Sequence, residues 1–323
     1  MNKESMNYEM LTDDVYRLTF RNKEEYAEII LLTLFPGVTL GLNDVHIHRI
    51  QGDADAIKID YFRINYCFEG RCEVKLQDGR YVYVDNNALC IEDHAPQYDY
   101  HYPLGFYNGI QIFIDKAIFD KPPIETFEFF GINLKSIKEK YIKKEETYIK
   151  IASDAFAKKS AQIISIWKKE DLTIKQRVQQ IRFILCQLFY YLVMDQAVNT
   201  AKPYNASILS HGQYMIAIDC ERLITSDLSQ KHTIEAMASD YKISPSSLKK
   251  FFSQVYGCSI SEYTQTMRVK EAARLLVQED LSIMQVAALV GYENQSKFSA
   301  VFKKHTGYAP LEYKRIHHLN FNK

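Results

Sequence analysis

Three sets of side chains in this sequence have types and spacings that could do chemistry. The first is imidazole: His46-Ile47-His48, followed by His94 and His101. Strand alternation would put His46 and His48 on one face, and a later His with a carboxylate would complete a transition-metal site. The Glu and Gly spacing of a His-x-His metalloenzyme is absent, so neither a metal nor a cofactor is assigned. The second set is thiol: Cys67, Cys72, Cys90, Cys186, Cys220 and Cys258, with no CxxC pair. The six read as small, reduced core residues; the alternative is a redox switch, since Cys67 and Cys72 flank Glu69-Gly70 and could meet across a tight turn. The third set is Lys, Ser and Gln on two similar segments near the C-terminus, which bind rather than react. No nucleophile–base pair, phosphate loop or paired carboxylate is identifiable, so the chain reads as a non-enzyme.

The two similar segments are copies of one unit. Ile234 and Ala238 match Ile283 and Ala287 at an offset of 49 residues, and Leu248, Phe252, Gly257 and Tyr263 match Phe298, Phe302, Gly307 and Tyr313 at an offset of 50. The extra residue falls between the halves of the unit, where a turn absorbs it. In the first copy Thr233 caps a short helix, and Ser244-Pro245 starts a second helix that Gly257 ends. Ser282 and Asn294 open the corresponding helices of the second copy, and Gly307 closes it. The inner stripes are Leu248, Phe251 or Phe252, and Val255, then Phe298, Val301 and Phe302. The outer ones are Ser246, Ser247, Lys249, Lys250, Ser253 and Gln254, then Gln295, Ser296, Lys297, Ser299, Lys303 and Lys304. A polar helix that leads with its outer face fits the major groove, and two such helices on one spacer reach adjacent turns roughly 34 Å apart.

The rest of the chain must position these groups. Over 323 residues the net charge is zero, but from Asn205 onward 14 Lys+Arg stand against 11 Asp+Glu, the sign of a basic footprint. Residues 26–115 have β texture, with runs at 57–68, 71–76, 81–84, 88–91 and 110–114 and a hairpin signal at Asp78-Gly79. After Pro122-Pro123 the period becomes helical over 135–148, 151–169 and 173–196. The last of these is apolar on most sides and must be buried, against its own domain or a second subunit. The fold class is α+β. Residues 1–120 form a small barrel or sandwich, taken as a barrel, and 121–200 a helical dimerisation region; 201–214 form a linker and 215–323 an all-α double helix-turn-helix domain. No stretch is apolar for long enough to span a bilayer, and no signal-peptide h-region is present, so the expected location is cytoplasmic.

Ser244-x3-Leu248-x3-Phe252-x4-Gly257 and Tyr263-x4-Arg268-x3-Ala272-x2-Leu275-Leu276 resemble the AraC/XylS family of bacterial transcription regulators. So does Ile283-x3-Ala287-x3-Gly291-Tyr292-x3-Ser296-x-Phe298-x3-Phe302-Lys303-Lys304-x2-Gly307-x2-Pro310-x2-Tyr313. The resemblance covers about a hundred residues; the N-terminal half is similar to that family's cupin-like effector barrels in texture. It implies sequence-specific DNA binding by the outer residues of both second helices. Ala300 stands where the family often has Arg, and Lys314 where Arg usually follows the Tyr. Arg268 is implied to be a structural or phosphate contact. The implied partners are promoter or operator double-stranded DNA, an unidentified small-molecule effector, a second copy of the chain and RNA polymerase, with no membrane. Arg63, Asn65, Tyr66, His94 and Tyr98 are the candidate effector contacts. Alternatives are a cupin-type metal-binding enzyme with an appended DNA-binding module, and a regulator that needs no ligand.

Overall fold

The structure is a computed structural model and describes residues 7–21, 25–51, 60–76, 78–93, 99–142, 147–200, 208–278 and 281–321. The chain divides into two units, Met1–Ile208 and Leu209–Lys323.

Alternating Val, Ile, Leu and Tyr make the first unit a sheet protein. Its strands are β1 (Asn7–Thr12), β2 (Val15–Arg21), β3 (Tyr26–Phe35), β4 (Val38–His46), β5 (Arg49–Gln51) and β6 (Tyr61–Gly70). They continue with β7 (Cys72–Lys75), β8 (Tyr81–Val84), β9 (Ala88–Glu92), β10 (Asp99–His101), β11 (Tyr107–Asp115) and β12 (Thr147–Ile151). Eight of them form one antiparallel sheet in the order β1-β2-β3-β4-β11-β6-β9-β12, while β5 pairs with β10 and β7 with β8 as separate ribbons.

The expected closed barrel is therefore an open sheet. Its two edges, β1 and β12, are not paired with each other. One face carries Ile30, Leu32, Leu40, Leu42, Ile64, Ile110 and Ile112 against a helical layer. That layer is α1 (Glu125–Phe129), α2 (Leu134–Tyr141), α3 (Asp154–Trp167) and α4 (Ile174–Val193). The opposite face carries Val45, Cys67 and Cys90 against the two ribbons, with Val74, Val82 and Tyr102. Asp78-Gly79 does turn a hairpin: Leu76 N–H donates to Arg80 O at 2.8 Å and Gly79, at φ +80°, donates to Leu76 O at 3.0 Å.

The helical reading of 135–148 and 151–169 needs correction. Between α2 and α3 the chain forms β12, whose Tyr148, Ile149 and Lys150 pair with Ile91, Cys90 and Leu89 of β9. Tyr-Ile-Lys-Ile fits either period over so short a run, and the open edge of β9 decides it. In α4 the stripe Val178, Ile181, Ile184, Leu185, Leu188 and Leu192 is buried as expected, yet Phe183, Tyr190 and Met194 remain exposed.

The second unit is all-helical: α5 (His211–Ser226), α6 (Ile234–Asp240), α7 (Pro245–Tyr256), α8 (Ile260–Gln278), α9 (Ile283–Leu289), α10 (Gln295–Thr306) and α11 (Pro310–Phe321). Of the expected linker 201–214, residues 201–207 lie outside the described residues. Ser210 begins α5 inside that stretch, because its side chain and that of Gln213 form a capping box. No helix among the described residues is long and apolar enough to cross a membrane.

Candidate nucleic-acid interface

The two repeat copies have superimposable local chemistry. Thr233 caps α6 by accepting from Ala236 N–H, and Ser282 caps α9 in a box with Gln285. The turns match at the 49-residue offset: Ile243 N–H donates to Ala238 O at 3.1 Å, and Tyr292 N–H to Ala287 O at 2.8 Å. Lys242 and Gly291, at corresponding positions, both have positive φ (+54° and +79°). Glu293 is the inserted residue that changes the offset to 50, lying just before the Asn294 cap. Ser244 and Asn294 then cap α7 and α10, and Gly257 and Gly307 end them in the left-handed conformation.

Packing fixes which side of each second helix faces water. Leu248, Phe252, Val255 and Tyr256 are buried on α7, and Phe298 and Phe302 on α10. The small Ala238 and Ala287 are 1% and 2% exposed, which lets the first and second helices of each copy cross closely. Both copies rest on α8. Tyr263 of α8 packs edge-on to Phe252 (5.4 Å) and donates to Glu221 Oε1 at 3.0 Å, while Val269, Ala272, Leu275 and Leu276 pack on Val286, Phe298 and Phe302.

Most of the expected DNA residues lie on the outer faces. Ser246, Lys249, Lys250 and Ser253 are exposed on α7, and Gln295, Ser296, Lys297, Lys303 and Lys304 on α10. Ser247 and Ser299 are half-buried. The Ser247 hydroxyl lies 2.9 Å from Ser244 Oγ, within the helix cap. Lys303, Lys304 and His305 occupy the last turn of α10, where cations also favour the helix dipole. The copies are not equal: at the 50-residue offset Lys250 corresponds to Ala300, so the middle of the second outer face lacks a charge.

Residues 237–316 match the family described as "Helix-turn-helix domain". The C-terminal unit contains an AraC-type helix-turn-helix domain. Over 81 residues the chain is 32% identical to "Probable transcription factor PqrA" of Proteus vulgaris, covering 25% of this chain and 66% of that protein. Over 94 residues it is 36% identical to the "Lactose operon transcription activator" of Staphylococcus xylosus, covering 29% and 33%. A similar solved structure is the C-terminal domain of AraT, a response regulator from Geobacillus stearothermophilus: 33% identity, 31% of this chain, 84% of that chain, TM-score 0.30. The chain spans less than two thirds of the length of either curated relative.

Outside the AraC-type domain, the described candidate effector residues lie on two faces of the sheet. Arg63 is buried on the ribbon-facing side of the sheet, where its Nε and Nη2 donate to Glu92 Oε1 and Oε2, each at 2.9 Å. Burial works against that charge, but Glu92 beside it holds the guanidinium above its usual range. Asn65 lies on the same side and accepts from the Tyr107 hydroxyl at 2.5 Å. Tyr66 points to the opposite face by strand alternation; it packs on Phe156 of α3, donates to Asn87 Oδ1 at 3.1 Å, and burial pushes its phenol up to about 12. His94 and Tyr98 lie outside the described residues.

Of the imidazole set, His46, His48 and His101 lie within the described residues. β4 ends at His46, so His48 is in a bend and does not share a strand face with it. His46 Nε2 lies 3.1 Å from Asp44 Oδ1, and His101 Nδ1 lies 2.9 Å from Glu73 Oε2. Among the described residues no three His, Cys, Asp or Glu are grouped to hold a metal. The six thiols are free, and burial raises the pKa of Cys67, Cys90 and Cys72, the last to about 12. Such thiols stay protonated and are poor partners for redox exchange.

Proposed function

We propose that this chain is a sequence-specific, DNA-binding transcription regulator that reads double-stranded promoter or operator DNA with α7 and α10. The observation that carries the reading is the pair of matched helix-turn-helix copies on one spacer helix, each presenting Ser, Gln and Lys outward. In such units the second helix reaches base edges while the first crosses the phosphates. Ser246, Lys249, Lys250 and Ser253 read one segment; Gln295, Ser296, Lys297, Lys303 and Lys304 read the next, with Ser247 and Ser299 at the flanks. Because the outer residues differ between copies, the site for one chain is asymmetric.

In the same proposal, the N-terminal unit binds a small effector between the sheet and its ribbons, retaining the cupin-like reading of that unit. Among the described residues, Asn65 Nδ2 and Gln111 Nε2 are buried there without a hydrogen-bond partner, an arrangement that a ligand acceptor or a water would satisfy. A second copy packs on α4, whose Phe183 is 56% and Tyr190 44% exposed. RNA polymerase is a further partner. Ligand acts by favouring one of two arrangements for which it has different affinity.

The test is selection of random double-stranded DNA by the full chain, followed by gel shift with Lys249→Ala, Lys297→Ala and, as control, Lys158→Ala. The two reader variants are expected to lose about 5- to 100-fold in affinity for the selected site, against under about twofold for the control. Failure to select any sequence, or equal losses for all three, refutes the reading.

A further inference from the structure

One guanidinium joins the two helix-turn-helix copies. Arg268 stands in the middle of α8. Its Nη1 donates to Gly291 O at 3.2 Å, in the turn of the second copy. Its Nη2 donates to Gln230 O at 3.0 Å, in the loop that leads into α6 of the first copy. The guanidinium carbon also lies 5.7 Å from the ring centre of Tyr292.

That loop and that turn press directly against each other. A Cβ on Gly291 would fall 2.7 Å from Leu228 O and 2.6 Å from Arg268 Nη2. The corresponding residue of the first copy, Lys242, adopts the same left-handed conformation with a full side chain. Left-handed backbone is thus not what demands glycine at 291; the approach of the Leu228 carbonyl and of Arg268 is.

We propose that Arg268, seated by Gly291, is a positioning residue that sets the spacing and rotation between the two reading helices. The proposal rests on α7 and α10 being the DNA readers. Packing of each copy on α8 is mostly apolar, with an exposed polar contact between Gln265 Oε1 and His305 Nε2 at 3.2 Å, and apolar contact is non-directional. Two hydrogen bonds from one rigid, planar fork are directional. They tie the second turn to the first copy's entry loop across the spacer helix. Moving one recognition segment by a single base pair shifts it about 3.4 Å along the duplex axis and turns it by roughly 35°. A locked pair of helices does not follow such a shift; a loosened pair does.

The spacing test uses the DNA site selected by the full wild-type chain, with the segments read by α7 and α10 then moved one or two base pairs closer or further apart. Wild type is expected to lose about tenfold per displaced base pair, the scale of a lost base contact. Arg268→Gln is expected to bind the native spacing more weakly yet lose under about threefold per displaced base pair. A uniform loss at every spacing, the signature of a merely destabilised domain, overturns the proposal.

A second measurement needs no DNA. In the full chain with Cys258→Ser, spin labels at Ser253→Cys and Lys303→Cys report the distance between the outer faces of α7 and α10. A distribution that broadens with Arg268→Gln supports the clamp, and an unchanged one overturns it. If wild type selects no DNA while the labels broaden, the regulator reading fails and the clamp stands. Should Arg268→Gln not fold, Arg268→Lys keeps the charge without the planar fork and is judged by the same two outcomes.

Discussion

Replacing Gly291 by Ala, beside Gly307 by Ala, separates two reasons for a glycine that the sequence pattern cannot tell apart. Both residues are left-handed, at φ +79° and +81°. A Cβ on Gly307 meets nothing within 4 Å, whereas one on Gly291 collides with the Leu228 carbonyl and the Arg268 guanidinium. Left-handed strain costs about 1–2 kcal/mol, and the stiffer unfolded chain returns about 0.4–1 kcal/mol. Gly307→Ala should therefore cost about 1 kcal/mol. Gly291→Ala adds displacement of the guanidinium from its carbonyls, at about 1.5–3 kcal/mol for hydrogen bonds to a charged group, for a total of about 2.5–4 kcal/mol.

Calorimetry of the full chain, with separate transitions for the two units, reads this out. In the C-terminal transition, Tm should fall by about 4 °C for Gly307→Ala and by more than about 10 °C for Gly291→Ala. In an Arg268→Gln background the difference between the two variants should shrink, since one colliding group is gone. Equal shifts in the native background would refute the close-approach argument.

Two further outcomes follow from the N-terminal unit. Glu92→Gln strands the buried Arg63 charge and should cost about 3–5 kcal/mol, while the double variant Arg63→Met/Glu92→Leu should recover most of it; urea unfolding monitored at Trp167 checks both. Asp93 sits against Lys116 (2.8 Å) and Lys138 (2.7 Å). Burial raises its pKa, but these two ammonium groups outweigh that and leave it below its ordinary 3.8. A lowered carboxyl stabilises the fold above its unfolded pKa, and that stabilisation disappears as pH falls through the folded value. Stability of wild type relative to Asp93→Asn should thus be greatest above the unfolded carboxyl pKa of about 4 and be lost as acid titration passes below the lowered folded value. A difference that does not change with pH would exclude the ion pairs as its source.

Much of the C-terminal unit is legible without coordinates because its signals are local. Thr233, Ser244, Ser282 and Asn294 bond the amide three residues on, and Gly257 and Gly307 end helices by their own backbone freedom. The same is true of the inner and outer stripes, since 3.6-residue periodicity places Phe252 and Lys250 on opposite sides wherever the helix lies. Strand alternation would likewise have put Tyr66 on the face away from Arg63 and Asn65. The reading of 135–169 failed where the local signal is weakest: Tyr148–Ile151 suits helix or strand, and an unpaired β9 edge recruits it.

The sequence by itself determined that two capped helix pairs lie on one spacer and which side chains they turn outward, because caps and periodicity act within a few residues. Tertiary structure alone decided that the sheet stays open, that His46 and His48 part company where β4 ends, and that Arg63 is already paired with Glu92. It also decided what Gly291 and Arg268 do. Their partners, Leu228 and Gln230, are dozens of residues away, and no spacing rule encodes a carbonyl that approaches through space.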